Sequence, residues 1–125
     1  LGRNDRAYLA ARAIQFFLPG VPQVYYVGLL AGENDMALLA TTRVGRDINR
    51  HHYTPAEIDA ALRKPVVQAL IELIKLRNTH PAFSGQFSVQ ESAADVLALR
   101  WVSDECWIAL RVDLAAGDFA ITESR

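Results

Sequence analysis

Residues 16–32 read FFLPGVPQVYYVGLLAG, and they lie inside a run of twenty residues, Ala13–Gly32, that has no charged side chain. Twenty apolar residues could span a membrane, but the prolines and glycines of this run would interrupt the required helix. Residues 21–28 are β-branched, aromatic and uncharged, and glycine and proline bound them. This pattern predicts a strand buried on both faces, as in a parallel sheet that is covered by helices.

A helix is predicted to precede that strand. Asn4 is a suitable N-cap, and Asp5 places a carboxylate in the first turn, where it complements the helix dipole. The apolar pattern continues to about Leu18. Pro19 and Gly20 then end the helix, because proline disfavours helical backbone before it and glycine accepts a left-handed cap.

A long polar segment follows the predicted strand. Asn34 is expected to cap a short helix through Thr41, and the remainder up to Thr54 is expected to be a loop. Loops after the carboxyl ends of parallel strands carry the ligand sites of α/β folds. Within ten residues this loop contains Arg43, Arg46, Asp47, Asn49, Arg50, His51 and His52.

Two further helices are predicted. Thr54, Pro55 and Glu57 supply an N-cap, a proline at the first helical position and the third-residue glutamate of a capping box. Pro65 ends this helix and begins another, which continues to about residues 78–81. The apolar face of the second helix consists of Val66, Val67, Leu70, Ile71, Leu73, Ile74 and Leu76.

The pattern changes to short strands after Pro81. Residues 86–90, 95–103 and 106–113 are predicted to be short strands, the second and third with side chains that alternate between two faces. Residues 103–105 are predicted to form the hairpin turn between the last two strands. A sheet with one apolar face and one solvent-exposed face is typically antiparallel. The predicted fold class is therefore α/β followed by β, with one domain over residues 1–82 and a second over residues 83–125.

Composition excludes some functions. The chain has 125 residues, a net charge of −1 and neither a basic patch nor a long like-charge run, so neither a nucleic-acid nor a membrane partner is expected. Cys106 is the single cysteine, which indicates a reducing compartment and predicts a cytoplasmic protein. Leu1-Gly2-Arg3 is not a signal peptide, and a start at Leu1 suggests a piece of a longer chain.

The segment GVPQVYYVGLLAGENDMALLATTRVGRDINRHHYT closely resembles sucrose phosphorylases, retaining enzymes of the α-amylase superfamily. The resemblance runs from Leu1 to about Phe87, and GENDM and GRDINRH are its narrowest motifs. It implies the last part of a (β/α)8 barrel. Residues 5–18 would be helix 7, residues 21–28 strand 8 and residues 55–78 helix 8, followed by a small antiparallel β domain.

The resemblance also implies a chemistry. Such enzymes move an α-glucosyl unit from sucrose to phosphate through a covalent glucosyl-enzyme, without a metal or organic cofactor. Their nucleophilic Asp, acid/base Glu and stabilising Asp lie upstream of the segment that matches Leu1, so no catalytic residue is predicted in this chain. Arg46 matches the arginine that binds the 4-hydroxyl of the glucosyl unit, a role that suits a planar guanidinium fork.

The neighbouring polar residues are given structural roles. Retaining chemistry needs two carboxyl groups roughly 5 Å apart across the sugar. Nothing in the sequence indicates such a pair among Glu33, Asp35 and Asp47. These three residues are therefore interpreted as loop and capping residues. Asp47 and Asn49 are expected to hold the loop, and the roles of Arg50 and His51 are left open. His51 and His52 are not predicted to bind a metal, because adjacent side chains diverge and no third ligand follows at a known spacing.

Three alternatives remain open. The donor could be that of a sister phosphorylase, acting on sucrose 6′-phosphate, glucosylglycerol or glucosylglycerate. A different class of function would be a non-catalytic interaction module, although residues 21–28 would then lack parallel strand neighbours. The chain could also form a homodimer or self-associate through that strand.

Overall fold

The computed structural model describes residues 3–124; Leu1, Gly2 and Arg125, on which the outer limits of the two predicted domains fall, lie outside the described residues. The α-helices are α1 (Asp5–Phe17), α2 (Tyr26–Leu29), α3 (Met36–Thr42), α4 (Pro55–Leu62) and α5 (Pro65–Thr79). Two 3-10 turns cover Gly45–Asn49 and Pro81–Ser84. The strands are β1 (Gln86–Gln90), β2 (Val96–Val102), β3 (Trp107–Asp113) and β4 (Asp118–Glu123).

The predicted limits of α1 are confirmed. The Asn4 side chain accepts hydrogen bonds from the backbone N–H groups of Arg6 and Ala7, which would otherwise lack partners in the first turn. After the helix, Gly20 has a φ of 106°, a left-handed conformation that glycine adopts without a steric penalty. The chain can therefore turn sharply away from the helix at this point.

The strand predicted over Val21–Gly28 is wrong for this chain. Residues 21–25 carry no regular secondary structure, and Tyr26–Leu29 form the short helix α2. The predicted burial is also wrong, since Val21 is 89% exposed and Tyr25 is 50% exposed. A strand is held by hydrogen bonds with neighbouring strands, and within the described residues every sheet strand lies at or beyond Gln86.

The short helix α3 begins one residue later than predicted. Asp35, and not Asn34, is its N-cap, and its carboxylate accepts from the N–H of Leu38 at 2.8 Å. The capping box of α4 is confirmed in both directions. Thr54 Oγ1 accepts from the N–H of Glu57 at 3.3 Å, and the Glu57 carboxylate accepts from the N–H of Thr54 at 2.6 Å.

The predicted start of α5 at Pro65 and its end before Pro81 are confirmed. Most of its apolar face is covered within the chain, with Val66, Val67, Leu70 and Leu73 buried.

The C-terminal sheet is antiparallel and has the strand order β1-β2-β3-β4. The predicted hairpin is confirmed, because the N–H of Ser103 donates to the carbonyl of Cys106 at 2.9 Å and closes the turn between β2 and β3. The predicted alternation is confirmed as well, with Leu99 and Trp101 of β2 and Ile108, Leu110 and Val112 of β3 buried. Sequence analysis missed β4, which pairs along β3.

An aromatic cluster joins α1 to the sheet. The indole N–H of Trp101 donates to the carbonyl of Phe17, the last residue of α1, at 2.6 Å. Phe83 lies edge-on to Phe17, with ring centroids 5.1 Å apart, and also contacts Trp101. The guanidinium of Arg77 covers the Phe83 ring at 4.5 Å and donates to the carbonyl of Gly20. These contacts fix the turn at Gly20 to the sheet.

The described chain divides into two compact units. One consists of Leu1–Pro22 with Glu72–Arg125 and contains α1 and the sheet; the other is Gln23–Ile71. The predicted domain boundary near residue 82 remains a prediction. Over residues 3–124, no helix is both long and apolar enough to cross a membrane.

Candidate functional site

The polar loop that sequence analysis singled out lies in the unit Gln23–Ile71. Its central part, Gly45–Asn49, is the first 3-10 turn. The backbone N–H of Asp35, at the start of α3, donates to the carbonyl of Ile48 at 2.7 Å. This bond ties the turn to the cap of α3, so the loop has a defined conformation.

Arg46 lies in this 3-10 turn and is exposed. Among the residues that the structure describes, no hydrogen bond or ion pair engages its side chain. The neighbouring Asp47 and Asn49 lie in the same turn, and Arg50 ends it. The fork of Arg46 therefore has its donors available for a ligand, which is what a sugar-binding arginine requires.

His51 follows the turn and contacts two carboxylates. Its Nδ1 lies 2.7 Å from Oδ2 of Asp35, and its Nε2 lies 3.2 Å from Oε1 of Glu57. The side chains of His51 and Asp35 are 35% and 20% exposed. The histidine thereby connects the N-cap of α3 with the capping box of α4.

Electrostatics in this cluster favour the charged forms of all three groups. The hydrogen bond to Asp35, followed by that to Glu57, raises the pKa of His51. The bond from His51 lowers the pKa of Asp35, and the backbone bond from Thr54 is the main cause of the lowered pKa of Glu57. These directions favour a protonated imidazole between two ionised carboxylates.

Aromatic rings surround the histidine. The rings of His51 and Tyr53 meet edge-on at 4.7 Å, and the Tyr26 hydroxyl donates to the backbone carbonyl of His51 at 3.0 Å. Gly32 is packed so closely against the Tyr53 hydroxyl and Val27 that a Cβ at this position would overlap them. The site thus requires glycine at position 32 to seat the Tyr53 ring.

Two clefts open beside the cluster. One has a volume of about 430 Å³, and Glu33, Asp35, His51, Tyr53 and Lys64 are among its lining residues. The other, of about 340 Å³, is more apolar and includes Tyr26, Leu30 and Ile58. His51 and Tyr53 line both clefts.

The structure brings together residues that sequence analysis treated separately. Asp35 was interpreted as a loop or capping residue, and it is the N-cap of α3. Sequence analysis did not predict the contact of His51 with Asp35 and Glu57, since the three residues follow no recognised motif. No group of three or more potential metal-binding His, Cys, Asp or Glu side chains occurs within residues 3–124.

Comparison with known proteins identifies relatives over almost the whole chain, although no protein-family model matches it. A sucrose phosphorylase from Agrobacterium vitis is 56% identical over 124 residues, which are 99% of this chain and 25% of that protein. A sucrose phosphorylase from Bifidobacterium adolescentis is 59% identical over 101 residues, 81% of this chain and 20% of that protein. A glucosylglycerol phosphorylase from Marinobacter adhaerens is 52% identical over 114 residues, 91% of this chain and 24% of that protein.

A solved structure agrees with these relatives. The crystal structure of sucrose 6F-phosphate phosphorylase from Thermoanaerobacter thermosaccharolyticum superposes with a TM-score of 0.95 at 48% identity, over 98% of this chain and 25% of that one. The match lies in the C-terminal part of that enzyme. It confirms the predicted fold class, apart from the strand over Val21–Gly28.

These matches show that the chain corresponds to the C-terminal part of glucoside phosphorylases. It belongs to the family that sucrose phosphorylases form with their sister enzymes. The chain spans about a quarter of the length of the curated relatives that it matches.

Proposed function

We propose that the full-length polypeptide that carries this chain is a sucrose phosphorylase. It would transfer an α-glucosyl unit from sucrose to phosphate, giving α-glucose 1-phosphate and fructose with retention of configuration. The observation that carries this proposal is the 56% identity to a sucrose phosphorylase across 99% of the chain. We also place the protein in the cytoplasm, in line with its single cysteine.

Within this function, Arg46 is the residue of the chain that binds substrate. The 3-10 turn presents its guanidinium at the surface, and the resemblance implies that the ligand is the 4-hydroxyl of the transferred glucosyl unit. The fork can donate to a sugar oxygen and to a neighbouring carboxylate at the same time. Its contribution would be orientation of the sugar, since the nucleophile and the acid/base are expected elsewhere in the polypeptide.

A second candidate function is that of a sister phosphorylase. Sucrose 6F-phosphate phosphorylase and glucosylglycerol phosphorylase relatives are 51% and 52% identical over 91% of the chain. These values are close to the identities with sucrose phosphorylases, so the segment itself favours no single donor strongly. The interaction-module alternative has no comparable support.

The test is a phosphorolysis assay of the purified full-length polypeptide. With sucrose and inorganic phosphate we expect phosphate-dependent release of α-glucose 1-phosphate, with its α configuration verified by NMR. The same assay is run with sucrose 6F-phosphate, glucosylglycerol and glucosylglycerate. A higher kcat/KM on one of these donors would reassign the enzyme to that sister activity, and no phosphorolysis of any of the four would refute the proposal.

A further inference from the structure

We propose that His51 is a positioning residue: as an imidazolium held between Asp35 and Glu57, it fixes the loop that presents Arg46, so that donor binding weakens when the imidazolium is deprotonated. The part of this proposal that concerns donor binding rests on the proposed function. The part that concerns the order of the loop does not.

The geometry requires both ring nitrogens to donate. Nδ1 is 2.7 Å from a carboxylate oxygen of Asp35, and Nε2 is 3.2 Å from one of Glu57. An ionised carboxylate only accepts hydrogen bonds, and a neutral imidazole carries a single N–H. Both contacts are therefore hydrogen bonds only in the imidazolium form. Deprotonation leaves one carboxylate facing a nitrogen lone pair.

The cluster holds the Arg46 turn at two points on its C-terminal side. Asp35 binds the turn directly, because its N–H donates to the carbonyl of Ile48. His51 follows the turn and is held by its ring, and also by the hydrogen bond from Tyr26 to its carbonyl. When one of the two ring contacts is lost, the segment between Ile48 and His51 is less constrained, and so is the orientation of the arginine that precedes it.

The other titratable and charged groups around His51 do not replace this interaction. They are Tyr26, Glu33, Arg50, His52, Tyr53 and Lys64. Burial is the main cause that raises the pKa of both tyrosines, so these phenols stay neutral across the range in which histidine titrates. Within residues 3–124, the carboxylates of Asp35 and Glu57 lie within hydrogen-bond distance of the two ring nitrogens.

The sign of the pH dependence follows from the direction of the shift. The pKa of His51 is raised in the folded chain, so its stabilising contribution is complete below the unfolded value of about 6.5 and is lost as the pH rises through the folded pKa. The lowered pKa values of Asp35 and Glu57 keep both carboxylates ionised throughout that window. Loosening of the loop is therefore expected on the alkaline side.

The test uses the full-length polypeptide and charge-removing variants that preserve the helix caps. Asparagine is as good an N-cap as aspartate, and glutamine can replace glutamate in a capping box. Asp35→Asn and Glu57→Gln therefore each remove one of the two negative charges beside the His51 ring, while α3 and α4 keep their caps. We expect the alkaline limb of the kcat/KM profile for the donor to move to lower pH in both variants, and further in Asp35→Asn, because Asp35 is the larger cause of the shift.

Removal of the imidazole gives the second measurement. His51→Gln should raise KM for the donor about three- to tenfold near neutral pH, a range consistent with partly exposed ion pairs, with a smaller change in kcat. The His51→Gln variant should also show a flatter alkaline limb in the pH profile of kcat/KM. His52→Gln is the matched control, since the His52 side chain is exposed and lies next to the cluster without bonding its carboxylates. We expect the KM of the His52→Gln variant for the donor to stay within about twofold of the wild-type value.

The order of the loop is measured separately by limited proteolysis. Trypsin cleaves after arginine, and Arg43, Arg46 and Arg50 are all exposed. Compared at the same pH, His51→Gln should be cut in this segment faster than the wild type, and His52→Gln should not. Unchanged pH profiles in Asp35→Asn and Glu57→Gln, or equal cleavage of the two histidine variants, would overturn the proposal. If the wild type has no phosphorylase activity, the proposed function fails, while cleavage still decides whether His51 orders the loop.

Discussion

Replacement of Arg46 by alanine should weaken recognition of the glucosyl donor without damaging the fold. The side chain is exposed, and within the described residues no internal hydrogen bond depends on it. The loss is therefore that of the ligand contact alone. A hydrogen bond to a charged donor contributes about 1.5–3 kcal/mol, which corresponds to a decrease in kcat/KM of roughly ten- to two-hundred-fold.

The assay is steady-state phosphorolysis of sucrose by the full-length polypeptide. Arg46→Lys should recover little activity, because lysine keeps the charge but loses the planar fork. Arg43→Ala is the matched control: this arginine is exposed and three residues away, outside the GRDINRH motif. Its backbone is left-handed, with a φ of 56°, so alanine meets the same conformational cost as arginine there.

A donor that lacks the 4-hydroxyl tests the contact itself. The wild type should use this donor poorly, and Arg46→Ala should show little further preference between it and sucrose. If Arg46→Ala discriminates between the two donors as strongly as the wild type does, Arg46 does not bind the 4-hydroxyl. If Arg43→Ala loses as much activity as Arg46→Ala, the effect is a general one of loop charge.

Three further outcomes are expected of the 125-residue chain itself. Purified alone, it should neither phosphorolyse nor hydrolyse sucrose, because the nucleophile and acid/base are expected elsewhere in the polypeptide; measurable turnover would contradict this. It should self-associate through the exposed apolar side chains near Val21 and Tyr25, unless sedimentation shows a compact monomer of 13.8 kDa at high concentration. Trp101→Phe should lower the free energy of unfolding by about 1–3 kcal/mol, because it leaves the buried carbonyl of Phe17 without its donor. Urea denaturation followed by circular dichroism measures this, and a loss no larger than that of Trp107→Phe would count against the importance of the indole bond.

Local signals in the sequence predicted the helices well. Asn4, the Thr54–Glu57 capping box and Pro65 all act on backbone groups within four residues, so their effect does not depend on distant parts of the chain. The hairpin between β2 and β3 was equally accessible, because alternation and a short turn are both local properties. Resemblance through the GRDINRH motif then added Arg46, whose role no spacing rule would have predicted.

The errors lie where partners are distant or external. Residues 21–28 have the composition of a buried strand, but a strand forms only against neighbours. In this chain residues 21–25 have no regular secondary structure, and α2 begins at Tyr26. Sequence analysis missed β4 for the opposite reason. Its two apolar residues on the inner face, Phe119 and Ile121, are only partly buried, and its place in the sheet comes from pairing with β3.

By itself, the sequence determined the helix limits, the hairpin, the family and the arginine expected to bind the sugar, since these depend on neighbouring residues or on a contiguous motif. Only the tertiary structure showed that His51 lies between Asp35, sixteen residues earlier, and Glu57, six residues later. That arrangement needs the starts of α3 and α4 to converge on one loop. No local pattern of residues encodes the distance between two helix caps. The ionic contacts of His51 therefore depend on how the chain folds.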